Sequence, residues 1–166
     1  YLRSLHVIVE TTPSFSELIS QQATFSDLRT PNIEDILTRT EVKADEVLAG
    51  HCVQGKSVLV TGAAGSIGSE LCRQILTRKP TKIVLFDIAE SALFYIEQEL
   101  LDRVADFNPP VEIVAVLGTI LDSNRVKETL LKHDVKSVFH AAAYKHVPML
   151  ESNQIEGVWN NVIGTK

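Results

Sequence analysis

The chain has 166 residues, of which 45% are hydrophobic and 22% charged, and a formal net charge of −5. This is ordinary globular composition for about one domain, and it excludes a wholly disordered chain, a collagen and a coiled coil. The acidic balance argues against a nucleic-acid partner, which would call for a basic surplus or stripe. No apolar run reaches the ~18–20 residues of a bilayer span, so no membrane contact is expected from this segment. Tyr1-Leu2-Arg3-Ser4 has neither the basic start nor the apolar core of a secretory signal. There is no initiator Met, so a piece of a longer chain is expected.

In chain order, Leu5-His6-Val7-Ile8-Val9 reads as a short strand ended by Thr12-Pro13. Residues 16–22 suggest a helical turn or two. Asn32-Ile33-Glu34-Asp35-Ile36-Leu37, after Pro31, reads as a short helix with an acidic start. Nothing here closes a core alone, so residues 1–50 are read as the end of a preceding domain plus a linker, or as an extension with no role. From Lys56 onward the pattern is regular. Strands are expected at Ser57–Thr61, Lys82–Phe86, Val111–Leu117 and Ser137–His140, and helices at Ser66–Leu76, Ala89–Ala105 and Ser123–His133. A last helix is expected from about Glu151 to Trp159. Apolar strands alternating with helices imply a parallel sheet covered on both faces. The right-handed crossover rule makes residues 51–166 the N-terminal part of a doubly wound α/β domain.

Thr61-Gly62-Ala63-Ala64-Gly65-Ser66-Ile67-Gly68 leaves a predicted strand and opens a predicted helix. In that context the first glycine permits a tight turn, the second lets the backbone approach a diphosphate, and the third lets the helix lie close on the strand. The amides around Ser66 to Gly68 then point at the phosphates, with the helix dipole behind them. The alternative is a tight turn without a ligand. Asp87 ends the second strand, where an acid bonds adenosine ribose hydroxyls and repels a 2′-phosphate. Ile88-Ala89-Glu90 supplies no basic residue to hold one, so NAD is expected over NADP. Asp87 also reads as an N-cap of the following helix, and the two roles can coexist. Cys52 and Cys72 form neither a disulfide framework nor a metal spacing, and they suit a reducing cytosolic compartment. His6, His51, His133, His140 and His146 suggest no metal site.

The spacing G-x-x-G-x-x-G resembles that of extended short-chain dehydrogenase/reductases. Three stretches taken together resemble the UDP-N-acetylglucosamine 4,6-dehydratase group of polysaccharide-biosynthesis proteins. They are Gly65-Ser66-Ile67-Gly68-Ser69-Glu70-Leu71, the run His140-Ala141-Ala142-Ala143-Tyr144-Lys145-His146-Val147-Pro148-Met149-Leu150-Glu151, and Asn160-Asn161-Val162-Ile163-Gly164-Thr165. The resemblance extends from about Asn32 to Lys166. It implies a Rossmann-like sheet, incomplete at its C-terminal end, that binds NAD or NADP. It also implies a UDP-sugar substrate and a cytoplasmic location, in a parent that larger members of the group anchor in the inner membrane. By position, it implies that Gly62, Gly65, Ser66, Ile67 and Gly68 hold the diphosphate and that Asp87 holds the adenosine ribose. Ala141, Ala142 and Ala143 would line the nicotinamide-side ribose. Lys145 would lie between cofactor and nucleotide-sugar, and Asn161 would orient the site from behind. Thr119, followed by Ile120, stands where the group usually has an acid near the adenine, and a hydroxyl there can still accept a hydrogen bond.

The group's catalytic residues, a Thr-Asp-Lys stretch and a Met- or Tyr-x-x-x-Lys pair, would come after a fifth strand and so beyond Lys166. The resemblance therefore assigns no catalytic residue to this chain and implies that the chain alone is inactive. In the group's reaction the nicotinamide takes hydride from C4 of the sugar, water leaves across C5 and C6, and the hydride returns to C6. A 4-epimerase or 4-dehydrogenase on the same scaffold, or a dinucleotide-binding module without chemistry, are the alternatives. A free sheet edge would favour a homo-oligomer.

Several residues have plainer readings. Lys145-His146 also fits a solvated loop pair, and His140 fits a hydrogen-bonded structural residue at the end of a buried strand. Tyr144 has no Lys four residues on, Cys72 should be packed, and Trp159 should lie in a core or an interface. Glu97, Glu99 and Asp102 read as a solvated helix face.

Overall fold

β-branched and aromatic runs at four places in the chain build one four-stranded parallel sheet, of order β3-β2-β1-β4. The computed structural model describes Glu10, Thr12, Ile19 and residues 46–105 and 107–166. The strand and helix expected at 5–9 and 32–37 lie outside the described residues, as does the 16–22 segment apart from Ile19. The chain divides into two compact units, Tyr1–Ala44 and Asp45–Lys166, and all four strands of the sheet belong to the second.

The elements of that unit are α1 (Glu46–Val53), β1 (Ser57–Thr61), α2 (Ser66–Thr77), β2 (Lys82–Asp87), α3 (Glu90–Val104), β3 (Glu112–Leu117), α4 (Ser123–Lys132) and β4 (Ser137–His140). The chain ends in α5 (Val147–Ser152), α6 (Gln154–Val158) and a π-helical turn over Trp159–Ile163. β1 pairs with β2 from Ser57↔Lys82 to Thr61↔Phe86, and with β4 from Val58↔Ser137 to Thr61↔His140. β2 pairs with β3 from Lys82↔Glu112 to Asp87↔Leu117.

The period of two along each strand sorts the core into two layers. Val58, Val60, Ile83 and Leu85 pack with Cys72, Ile75 and Leu76 of α2 and with Leu93, Ile96 and Leu100 of α3. Leu59, Val84, Phe86 and Val116 face the other way, against Ile120 and against Val126 and Leu130 of α4. Helices thus cover both faces, and the sheet is doubly wound. Burying one such aliphatic side chain contributes about 1.5–3 kcal/mol, so the two central strands hold the domain together.

Several sequence expectations change. The last helix begins at Val147, ahead of the expected Glu151, because Pro148 occupies its first turn, where a fixed φ and a missing N–H cost nothing. It breaks at Asn153, whose Nδ2 donates to the Met149 carbonyl at 2.9 Å and so competes with the helical ladder. α1 carries no one-sided apolar stripe and holds Gly50, so periodicity gave no sign of it; its end is fixed by Val53, which is buried. β4 is an edge strand of alternating half-buried and exposed residues, so His140 does not end a buried strand. Trp159 is 52% exposed and lies outside the core. The acidic face of α3 is also not simply solvated. Glu99 takes both ends of the Arg73 guanidinium, Nε and Nη2 each at 2.8 Å, tying α3 to α2.

Candidate functional site

β1 runs straight into the glycine-rich turn, and the turn is shaped by backbone crowding. Gly62 has φ +65°, and a Cβ there would sit 2.7 Å from the Ala142 nitrogen at the end of β4. Gly65 N–H donates to the Gly62 carbonyl at 3.0 Å, closing the turn. A Cβ on Gly68 would run into the Gly62 carbonyl oxygen, so only glycine lets α2 start this close to β1. Gly65 is the N-cap residue of α2, with no side-chain cap and no acidic residue in the first turn. The first amides of the helix are therefore left to an outside acceptor, with the positive end of the dipole behind them. An anion fits this arrangement, and a side chain at Gly62 or Gly68 would not.

The ends of the other strands complete a crevice at the switch between β1 and β4, where open α/β sheets bind ligands. Asp87 at the end of β2 accepts from Ala64 N at 2.9 Å through Oδ2 and from Ala89 N at 2.9 Å through Oδ1. The N-cap of α3 is Ala89, so Asp87 does not cap that helix as the sequence allowed. Gly118 after β3 is held by its N–H to the Asp87 carbonyl at 2.9 Å. Thr119 Oγ1 accepts from Leu121 N at 3.3 Å, so its hydroxyl partly serves its own turn, and Asp122 caps α4 by accepting from Arg125 N at 2.9 Å. The cavity so formed has a volume of about 560 Å³.

This cavity brings together Gly62, Gly65, Asp87, Thr119, Ile120, Ala141, Ala142 and Ala143 of the residues singled out from the sequence. Ser66, Ile67 and Gly68 stand in the first turn of α2 rather than in the lining. Lys145 lines an adjoining cavity of about 420 Å³ with His146, Met149, Leu150 and Asn153; Ala143, Tyr144 and Glu156 belong to both cavities. Sequence reasoning missed the part of Phe86, Glu156 and Asn160 in the lining. Glu156 and Asn160 come from α6 and the π-helical turn, and only the fold carries them back over the strand ends.

Asn161 has a specific placement. Its Nδ2 donates to the Tyr144 carbonyl and its Oδ1 accepts from Tyr144 N–H, each at 2.8 Å. The amide therefore clamps the backbone that carries Lys145. A second chain of bonds runs beside it. Thr165 Oγ1 donates to the Asn161 carbonyl at 2.9 Å, so towards His140 Nε2, 3.0 Å away, it can only accept. Nε2 then carries the proton in the neutral ring, and Nδ1 accepts from Thr61 Oγ1 at 2.6 Å. His140 is thus the hydrogen-bonded residue the sequence suggested, with both ring nitrogens in use.

Cys72 is fully buried, and burial pushes its thiol up to about 12; Cys52 is exposed, and both are free. Among the described residues no group of His, Cys, Asp and Glu could hold a metal ion, and no helix is long and apolar enough to cross a membrane.

The strand order, the glycine turn and the acid at the end of β2 define a doubly wound, Rossmann-like domain. The polysaccharide biosynthesis protein family matches residues 58–166, and the chain belongs to that family. It is 38% identical over 160 residues to the probable polysaccharide biosynthesis protein EpsC of Bacillus subtilis, covering 96% of this chain and 26% of that protein. It is 32% identical over 112 residues to a UDP-N-acetylglucosamine 4,6-dehydratase (inverting) of Campylobacter jejuni, covering 67% of this chain and 30% of that enzyme. The solved UDP-glucose 4-epimerase of Brucella ovis in complex with NAD aligns with a TM-score of 0.51 and 28% identity, over 66% of this chain and 30% of that one. The chain therefore spans about a quarter to a third of the length of these relatives.

Proposed function

We propose that this chain supplies the dinucleotide-holding part of a nucleotide-sugar 4,6-dehydratase that acts on a UDP-N-acetylhexosamine in the cytoplasm, during surface-polysaccharide synthesis. The observation that carries this is the crevice at the β1–β4 switch. One cavity unites Gly62 and Gly65 of the turn, Gly65 being the N-cap residue of α2, with Asp87 and the three alanines after β4. The dehydratase and NAD-bound epimerase relatives support it.

In this reading the α2 amides hold the diphosphate. Asp87 uses two of its roughly four lone-pair sites on backbone amides and keeps the others for the adenosine ribose hydroxyls. The charged residues of the lining are Asp87 and Glu156, both acidic, which favours NAD over the additional 2′-phosphate of NADP. Ala141 to Ala143 leave room for the nicotinamide-side ribose. Lys145, in the adjoining cavity that shares Tyr144 and Glu156, faces the nucleotide-sugar. When bound, the nicotinamide supplies a reversible hydride acceptor. The residues of this chain bind and orient it, and the acid–base groups of the reaction lie outside residues 1–166. Of residues 1–50, those before α1 serve as the end of a preceding domain and a linker.

Two assays test the reading. Calorimetric titration of the intact protein with each cofactor should show NAD bound at least ~10-fold more tightly than NADP, a difference of ~1.4 kcal/mol. Tighter NADP binding would overturn the preference. Incubation of the full-length parent with UDP-N-acetylglucosamine should yield a 4-keto-6-deoxy sugar nucleotide, and residues 1–166 alone should yield none. A C4 epimer as sole product would replace the dehydratase by the epimerase reading, and a full-length parent that binds cofactor but leaves the sugar nucleotide unchanged would leave a binding module.

A further inference from the structure

We infer that Asp87 is a positioning residue for the glycine-rich turn as well as a reader of the ribose: it holds the diphosphate cradle in shape before any cofactor arrives. The inference rests on the proposed site for its ligand, but its geometry stands apart from any ligand. Between Thr61 and Ser66 the chain reverses from strand to helix with Gly62 in the left-handed region. Two bonds tie this turn sideways to β2. One is Ala63 N–H to the Phe86 carbonyl, at a long 3.3 Å. The other is Ala64 N–H to Asp87 Oδ2, at 2.9 Å and with a charged acceptor, which makes it the stronger of the two.

The second carboxylate oxygen is fixed as well. Oδ1 takes Ala89 N–H at 2.9 Å, so the side chain is also tied to the loop that follows its own strand. Asp87 thus braces one loop against another: the turn that opens α2 on one side and the start of α3 on the other. Ala64 lies between Gly62 and the first amides of α2, so releasing it frees the segment that aims those amides.

This changes what a substitution at Asp87 does. If the acid only read ribose hydroxyls, removing it would weaken NAD, admit a 2′-phosphate and leave the turn untouched. If it also braces the turn, removing it weakens every ligand that places a diphosphate there, whatever its ribose carries. An uncharged residue then fails to convert the site to NADP.

The experiment is a cycle between protein and ligand in the intact protein. Asp87→Ala and wild type are titrated with NAD and with the NAD analogue lacking the 2′- and 3′-hydroxyls of the adenosine ribose. Amide hydrogen exchange at Ala64 and Gly65 is read in the absence of ligand. The brace predicts that Asp87→Ala weakens the analogue by at least ~10-fold and speeds exchange at Ala64 by a similar factor, with exchange in β1 unchanged. Loss confined to NAD, with unchanged exchange at Ala64, would overturn it. Should Asp87→Ala fail to fold, Asp87→Asn serves. Its single carbonyl oxygen cannot serve both amides, and the same two readouts must move in the same direction. If wild type binds neither ligand, the proposed site fails while the exchange measurement still decides whether the brace exists.

Discussion

The two halves of the sheet are built on different terms. All five residues of β1 are buried, as are the four central residues of β2, and helices close over both faces. By contrast β4 alternates between half-buried and exposed, and none of residues 141–166 is buried. The first half is ordered by apolar packing. The second presents Val147, Met149, Ile155, Val158 and Trp159 outward, and its contacts with the rest of the site include directional polar bonds. These are the Asn161 clamp on Tyr144 and the Thr61–His140–Thr165 chain. The contrast explains how one domain can carry a rigid cradle for a diphosphate beside a segment whose apolar surface remains uncovered among the described residues.

The contrast can be broken most severely where backbone meets backbone. Gly68→Ala places a methyl group against the Gly62 carbonyl oxygen, and neither main chain can yield without moving α2 off β1. We expect a loss of at least about 3 kcal/mol, the upper part of the overpacking range, read as a lower urea midpoint at unchanged slope, together with loss of dinucleotide binding. A matched pair of truncations sharpens the comparison. Leu85→Ala, in the centre of β2 and fully buried, should cost ~2–5 kcal/mol. Ile155→Ala, on α6 and 73% exposed, should stay within ~0.5 kcal/mol. Similar losses at both positions would mean that the terminal segment is as tightly packed as the centre.

The smallest effect is electrostatic. Arg73 and Glu99 make a forked pair across α2 and α3, with side chains 31% and 34% exposed. Screening at such a site limits Arg73→Ala to about 1 kcal/mol or less at neutral pH. Hydrogen bonding from Arg73 holds the Glu99 carboxyl below the usual carboxylate range. A lowered folded value stabilises the protein above the unfolded pKa of ~4.3 and is lost as the pH falls through the folded one. The difference between wild type and Arg73→Ala in denaturant midpoint should therefore be constant above about pH 5 and shrink below ~4.3. A constant difference down to pH 2 would assign Arg73 a packing role only.

Much of the fold could be read from residue order. β1 and β4 lie where their apolar runs predict. α2 and α4 begin at the expected serines and end within a residue of expectation. The first half of the site was legible for the same local reason: a glycine turn after a strand is a short-range pattern, and Asp87 ends the next strand. The break at Asn153, the start at Val147 and the place of α1 were not legible. A side chain competing for a carbonyl, a proline in a first turn and a helix with no apolar stripe leave no period to read.

By itself, then, the sequence determined the alternation of strand and helix, the glycine turn and the acid that faces it, because each depends on neighbours a few residues apart. Only the tertiary structure decided that the carboxylate of Asp87 reaches back to Ala64, that Asn161 grips Tyr144, and that Glu156 and Asn160 enter the cavity. Those partners are distant along the chain. Parallel strands joined by crossing helices set them side by side, and that closeness arises from packing two layers against one sheet, which no local pattern records.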